Sequence, residues 1–141
     1  MNLERAIEIA VMAHKGAVDK GGRPYILHPL AVMMSLKTDE EKIVGVLHDV
    51  VEDTDWTFEA LKQEGFSKEI IEALQSVTKS DSDSSYSDFI ERAKTNAIGR
   101  KVKIADLKHN MDLSRIPSIS NKDMERLERY RMSLKILVEI N

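Results

Sequence analysis

The six residues His48-Asp49-Val50-Val51-Glu52-Asp53 constrain this chain more than any other stretch. Apolar residues at Ile43, Val44, Val46, Leu47, Val50 and Val51 recur at helical spacing, so residues 43–54 read as a largely buried helix. Four ionisable groups crowd its C-terminal end. Such groups are costly to bury unless something pairs with them. A divalent cation would do so, because neutral imidazole and carboxylate are both good ligands for one. His48 and Asp49 are adjacent and can reach a single ion, while Glu52 and Asp53 lie one turn further on. The plainer reading ends a core helix at His48-Asp49 and leaves Glu52-Asp53-Thr54-Asp55 as its solvated exit. What weighs against it is the company the pair keeps elsewhere in the chain.

The 141 residues are enough for one domain with a sizeable core and too few for two ordinary ones, so residues 1–141 are expected to form one unit. A composition of 42% hydrophobic and 32% charged residues is that of a soluble globular protein. No apolar run approaches the roughly 20 residues that span a bilayer, so no membrane association is expected. The N-terminal residues enter an amphipathic helix at once, without the basic-then-apolar order of a secretory signal, which makes the cytoplasm the expected compartment. The absence of cysteine removes disulfides, thiolate ligands and a cysteine nucleophile together. A net charge of −3 argues against a general nucleic-acid binder, though local basic residues could hold a small phosphorylated ligand.

Helical periodicity recurs along the whole chain. Leu3, Ala6, Ile7, Ala10 and Val11 trace a first helix ending near Gly16, with His14 close to its end. A glycine- and proline-bearing turn follows, and His28-Pro29 is expected to open a second helix with proline in its first position. Thr38-Asp-Glu-Glu41 has the form of a capping box leading into the central helix. Further helices are expected at Thr57–Gly65, at Ser67–Val77, from Tyr86, from Ala97 through Leu113, and from about Asp123 to Ile140. Ser80-Asp-Ser-Asp-Ser-Ser85 is small and polar and is expected to be a mobile loop. No stretch alternates over the length of a strand. The expectation is an all-α bundle of about eight helices, with the apolar last helix either closing the core or pairing with a second chain.

Unusual polar residues stand in four apolar helical settings: His14, His28, the His48 stretch, and Asp106 with His109 and Asn110. Asp106 and Asn110 are four residues apart and share a helical face, with His109 beside them. All four histidines of the protein fall in these places. A single histidine of this kind is ordinarily a satisfied core or cap residue, and their recurrence together is what suggests one site.

Five blocks, in order, carry a family resemblance: Ala13-His14-Lys15-Gly16; Gly22-Arg-Pro-Tyr25-Ile-Leu-His28-Pro29-Leu30; Leu47-His48-Asp49-Val-Val-Glu52-Asp53-Thr54; Val77-Thr78-Lys79; and Lys103-Ile-Ala-Asp106-Leu-Lys-His109-Asn110-Met111. They resemble the HD-type hydrolase domain of the RelA/SpoT alarmone family over residues 3 to 115. The resemblance implies an HD-domain fold and a small stand-alone hydrolase lacking the synthetase region of the long members. It implies that His28, His48, Asp49 and Asp106 bind Mn²⁺, although the ligand set suits Fe²⁺ or Zn²⁺ equally. It implies that Glu52 and Asp53 position or deprotonate the attacking water, and that Asn110 contacts the nucleotide. The implied reaction removes the 3′-pyrophosphate of (p)ppGpp.

Lys20, in the loop before the His28 block, is the preferred diphosphate contact; Tyr25 and Lys108 complete the expected substrate-binding set. Lys15, Arg23, Lys79, Arg100, Lys101 and Lys103 are further basic candidates. Two departures stand out. Long hydrolases read Arg-Lys-Ser-Gly where this chain has Asp19-Lys20-Gly21-Gly22, so the arginine that stacks on guanine in relatives is Asp19 here. Their Asp-Arg-Leu-His-Asn becomes Asp106-Leu107-Lys108-His109-Asn110, which moves a positive charge about 100° around the helix. These departures motivate a second reading, an HD-class phosphohydrolase of another nucleotide or phosphoester. A third is a non-catalytic sensor of metal and nucleotide, against which the intact Glu52-Asp53 pair speaks.

Overall fold

The computed structural model describes residues 2–139, in which helices are joined by turns and short loops. In chain order the segments are α1 (Leu3–Ala13), α2 (Leu27–Met34), α3 (Asp39–Leu47), α4 (Val50–Asp53), α5 (Phe58–Gln63), α6 (Lys68–Ser76), α7 (Tyr86–Lys94), α8 (Ala97–Asn110), a 3₁₀ turn (Leu113–Arg115) and α9 (Asn121–Val138). Among the described residues the one extended pairing is an isolated bridge between Val18 and Pro24. No helix of the described residues is long and apolar enough to cross a membrane.

Local sequence accounts for most of the boundaries. Thr38 and Glu41 form the expected capping box on α3, and Thr57, Ser67, Ser85 and Asn96 each cap the helix that follows with a side-chain oxygen. Gly65 ends the α5 segment with a φ of 97°, a left-handed conformation that favours glycine. Pro29 sits third in α2 rather than first; in the first turn the backbone has no acceptor to lose, so the position is tolerated. The last helix begins at Asn121 behind the Ser120 cap, and the expected end at Ile140 lies outside the described residues.

Two expectations are corrected. The central helix is broken: α3 stops at Leu47, His48 and Asp49 form a turn, and α4 resumes at Val50. His48 Nδ1 donates to the Gly45 carbonyl at 2.6 Å, the acceptor that a continuing helix would offer to Asp49, so the side chain competes with the ladder at the functional residues. Eight expected helices thereby become nine segments among the described residues. The serine-rich loop, expected to be mobile, is pinned. Arg92 grips both oxygens of the Asp83 carboxylate at 3.1 and 2.9 Å and also donates to the carbonyls of Gln75 and Thr78.

α3 is central: it packs against α1, α2, α6 and α8, and Val44, Val46 and Leu47 are buried in the main core with Ile9, Val32, Leu74 and Val102. α2 and α3 approach closely at Gly45, where an added Cβ would lie 2.7 Å from Leu36 Cδ1. A second cluster, Phe89, Ile90, Ala93, Leu107 and Leu137, joins α7, α8 and α9. The buried side of α9 therefore closes this chain's own core, while Met124, Met132 and Val138 stay exposed on its other side.

Candidate metal centre

α2, the α3–α4 break and α8 each bring ionisable side chains to one point between the two clusters. Ligand atoms of His28, His48 and Asp49 all lie within 4.8 Å of one another. Asp106 joins them from α8, its Oδ1 standing 2.9 Å from His28 Nε2 and 3.3 Å from His48 Nε2. His48 Nε2 is also 3.0 Å from Asp49 Oδ2. Residues distant in sequence and named together at the outset thus converge.

The chemistry of these atoms asks for a cation. Because His48 Nδ1 must carry a proton to donate to Gly45, the neutral ring turns the lone pair of Nε2 toward two carboxylates, and this buried nitrogen has no hydrogen-bond partner. Burial opposes a charge on His48, but Asp49 and Asp106 outweigh it and hold its pKa well above the usual histidine range. A divalent ion would meet the same demand while leaving the ring neutral. Burial likewise disfavours ionised Asp49 and Asp106, yet His48 holds the first below the ordinary carboxylate range, and Lys103 and His48 hold the second well below it. The donor set fits a divalent metal.

Surrounding groups orient these ligands. His28 Nδ1 lies 2.7 Å from His109 Nδ1 with the rings stacked, which leaves His28 Nε2 for the centre. The Tyr25 hydroxyl donates to Asp49 Oδ2, and burial, then the Asp49 charge, keep this phenol protonated far above its normal range. Asn110 Nδ2 donates to Asp106 Oδ1 at 3.1 Å. His14 packs behind Tyr25 at 5.0 Å between ring centroids, and burial lowers its pKa, so it stands as a neutral ring outside the converging group.

Two chambers meet at this point. One, of about 420 Å³, is lined by His28, Asp49 and Asp106 of the cluster with Glu52, Asp53, Lys79, Lys103, Arg129 and Tyr130. The other, of about 370 Å³, is lined by Asp19, Lys20, Ile116, Arg126 and Tyr130, and both include Tyr25, His28 and Asn110. Glu52 and Asp53 are exposed at the mouth of the first. Glu52 Oε1 accepts from the Lys79 N–H at 3.2 Å, which fixes its direction. Asp53 is pushed up to about 6 by desolvation and by the neighbouring Asp49 and Glu52 charges.

The expected basic residues divide. Lys20 borders the second chamber with Nζ held 3.0 Å from the buried Asp123. Lys79 borders the first. Lys108 is placed elsewhere: it is exposed and lines a separate hollow with Ser35, Lys37 and Glu41. The shift of charge around α8 read from sequence has this consequence. Lys101 pairs with Glu41, and Arg100 caps the end of α9 through the carbonyls of Leu137 and Glu139. Lys15 and Arg23 line neither chamber. Lys103 is buried beneath Asp106 rather than on the surface, and although burial disfavours its charge, Asp106 raises its pKa above the ordinary lysine range.

Sequence reading missed Arg126, Arg129 and Tyr130. They recur at three- and four-residue spacing on α9, but charged residues on an amphipathic helix look solvated until the helix is placed.

A family model described as the HD domain matches residues 6–119. The chain belongs to the HD-domain family. Among curated relatives, this HD chain is 37% identical over 121 residues to a probable GTP pyrophosphokinase of Mycobacterium leprae, covering 77% of this chain and 15% of that one. It is 41% identical over 81 residues to a guanosine-3′,5′-bis(diphosphate) 3′-pyrophosphohydrolase of Aquifex aeolicus, covering 55% of this chain and 12% of the relative. It is 39% identical over 83 residues to the bifunctional (p)ppGpp synthase/hydrolase SpoT of Escherichia coli, covering 56% and 12%. The chain therefore spans between 12% and 17% of the length of such relatives. A solved structure described as a metazoan ortholog of SpoT that hydrolyzes ppGpp superposes with a TM-score of 0.80 at 21% identity, covering 99% of this chain and 86% of that one. That likeness establishes the all-α HD fold.

Proposed function

We propose that residues 1–141 act as one metal-dependent phosphohydrolase unit that removes the 3′-pyrophosphate of (p)ppGpp, leaving GDP or GTP. The observation that carries this reading is the convergence of His28, His48, Asp49 and Asp106 beside an acidic pair at the mouth of a cation-lined cleft. The activities for which the Aquifex aeolicus and Escherichia coli relatives are named support the substrate.

His28, His48, Asp49 and Asp106 would hold the ion, for which we propose Mn²⁺, with Fe²⁺ or Zn²⁺ compatible with the same donors. When bound, a divalent metal lowers the pKa of water and offsets charge on a phosphoryl oxygen. The remaining work falls to the chain. Asp53, with its pKa near 6, is matched to take a proton from water near neutral pH, and Glu52, directed by the Lys79 N–H, holds that water in place. The water oxygen forms a bond to the phosphorus carrying O3′; the bond to O3′ breaks, and its electron pair leaves with that oxygen, which takes up a proton. Lys79 and Arg129 in the first chamber and Lys20 in the second are available to the diphosphates, and Arg126, Tyr25, Tyr130 and Asn110 to the nucleoside side.

The partner proposed is a small phosphorylated nucleotide rather than a nucleic acid, and the compartment proposed is the cytoplasm. A second reading keeps the reaction and changes the nucleotide. Asp19, where relatives carry the stacking arginine, accepts the backbone N–H groups of Gly21 and Arg23 and so serves the loop that walls the second chamber. Incubation of Mn²⁺-loaded protein with ppGpp and a panel of other 3′-phosphorylated nucleotides, with products separated by anion exchange, tests both. Equimolar GDP and pyrophosphate from ppGpp is expected. Intact ppGpp alongside cleavage of another nucleotide would transfer the proposal to the second reading.

A further inference from the structure

Asp106 divides its two oxygens between different neighbours. Oδ1 faces the centre, near His28 Nε2, His48 Nε2 and Asn110 Nδ2, while Oδ2 pairs with Lys103 Nζ at 2.9 Å. Lys103 is 9% exposed, and its ammonium lies 5.0 Å from the centroid of the Phe89 ring, which holds the cation against an aromatic face on its far side. Removing either partner of such a pair leaves an uncompensated charge in the interior, so the two side chains are fixed together.

We propose that Lys103 is a positioning residue that tunes the metal centre: it occupies Oδ2, restricting Asp106 to ligation through one oxygen, and its charge offsets one of the two ligand carboxylates. The proposal rests on the reading of the cluster as a metal centre. Without Lys103, the Asp49 and Asp106 carboxylates would cancel the charge of a divalent ion. With Lys103 beside them, the ion, its two carboxylate ligands and this ammonium sum to one positive charge, set against the Glu52-Asp53 pair that lines the same chamber. The same repulsion weakens the hold on the metal, because like charges at short range interact strongly away from bulk water. Lys103 thus favours pull on the phosphate over tight metal binding.

Two plainer roles make different predictions. A lysine that only contacted phosphate would leave metal affinity unchanged when replaced, and one that only filled space over Phe89 would affect stability alone. The test is Mn²⁺ titration by calorimetry, without nucleotide, on wild type, Lys103→Met and Lys103→Arg. Lys103→Met is expected to bind Mn²⁺ about tenfold tighter while its turnover falls, and Lys103→Arg to stay near wild type in affinity. If Lys103→Met folds only when metal is present, Lys103→Gln replaces it, and its gain in Tm on saturation with Mn²⁺ should exceed that of wild type. Unchanged or weaker Mn²⁺ binding in the neutral variants would overturn the proposal while leaving the metal centre standing. A wild type that binds no Mn²⁺ would overturn both, and the wild-type titration alone distinguishes that case.

Discussion

Glu52 and Asp53 are neighbours on one short helix, yet their surroundings give them different work. The Lys79 N–H orients Glu52, while desolvation, then the Asp49 and Glu52 charges, press the Asp53 proton affinity upward. Asp53→Asn should keep Mn²⁺ binding and lose about 10²–10⁴-fold in kcat, the range expected when a general base is removed, and Glu52→Gln should likewise keep Mn²⁺ and lose turnover as the water loses its anchor. Steady-state kinetics beside metal titration would check this, and loss of metal in either variant would place the residue among the ligands instead. The sign of the pH dependence follows from the same shift. The base form of Asp53 grows as pH rises through about 6, so kcat should fall on the acid side of that value. A bound cation moves the limb lower. A pH–rate profile with its acid limb above neutrality would contradict the assignment. The residues of the centre stood out in sequence as polar groups in apolar contexts, together with His14 and His109, and the family resemblance singled out His28, His48, Asp49 and Asp106 from among them. The burial of Lys103 was not, since a lysine in a helix reads as solvated unless its partner is seen.

Among the elements, α3 shows most clearly what local sequence determines. Thr38 and Glu41 cap it reciprocally, and Glu41 is buried. Burial opposes its charge, but the N–H groups of Lys37 and Thr38 and the Lys101 ammonium bring its pKa below the ordinary glutamate value. A depressed carboxylate contributes stability that is present above its unfolded pKa and lost as pH falls through its folded one. Glu41→Ala should therefore lower stability by about 1–2 kcal/mol at neutral pH, and the difference from wild type should shrink in acid; urea unfolding at both pH values measures this. The capping box could be read from spacing alone. The break between α3 and α4 could not, because it arises where the His48 ring meets the Gly45 carbonyl, a contact that apolar periodicity does not encode. The serine-rich loop was misread for a similar reason: composition reports its polarity, while its order comes from Arg92 on the following helix.

For the molecule as a whole, the described residues form two apolar clusters, and α9 contributes Arg126, Arg129 and Tyr130 to the walls of the two chambers. Class and architecture were legible because periodicity persists along the chain. The walls from α9 were not, because their residues meet the centre only once the chain has folded back. A ligand that binds only the folded state stabilises it by about 2.7 kcal/mol at a hundredfold excess over Kd. Mn²⁺ should thus raise Tm by roughly 5–10 °C for a domain of this size, and a chelator should reverse the gain; a thermal scan unmoved by metal would contradict the coupling of site and fold. The most direct test is metal stoichiometry, read by elemental analysis after Mn²⁺ loading and desalting of wild type, His48→Ala and Asp106→Ala. The account predicts about one ion per wild-type chain and near-complete loss in either variant; a variant that stays folded and keeps its full complement of metal would contradict it.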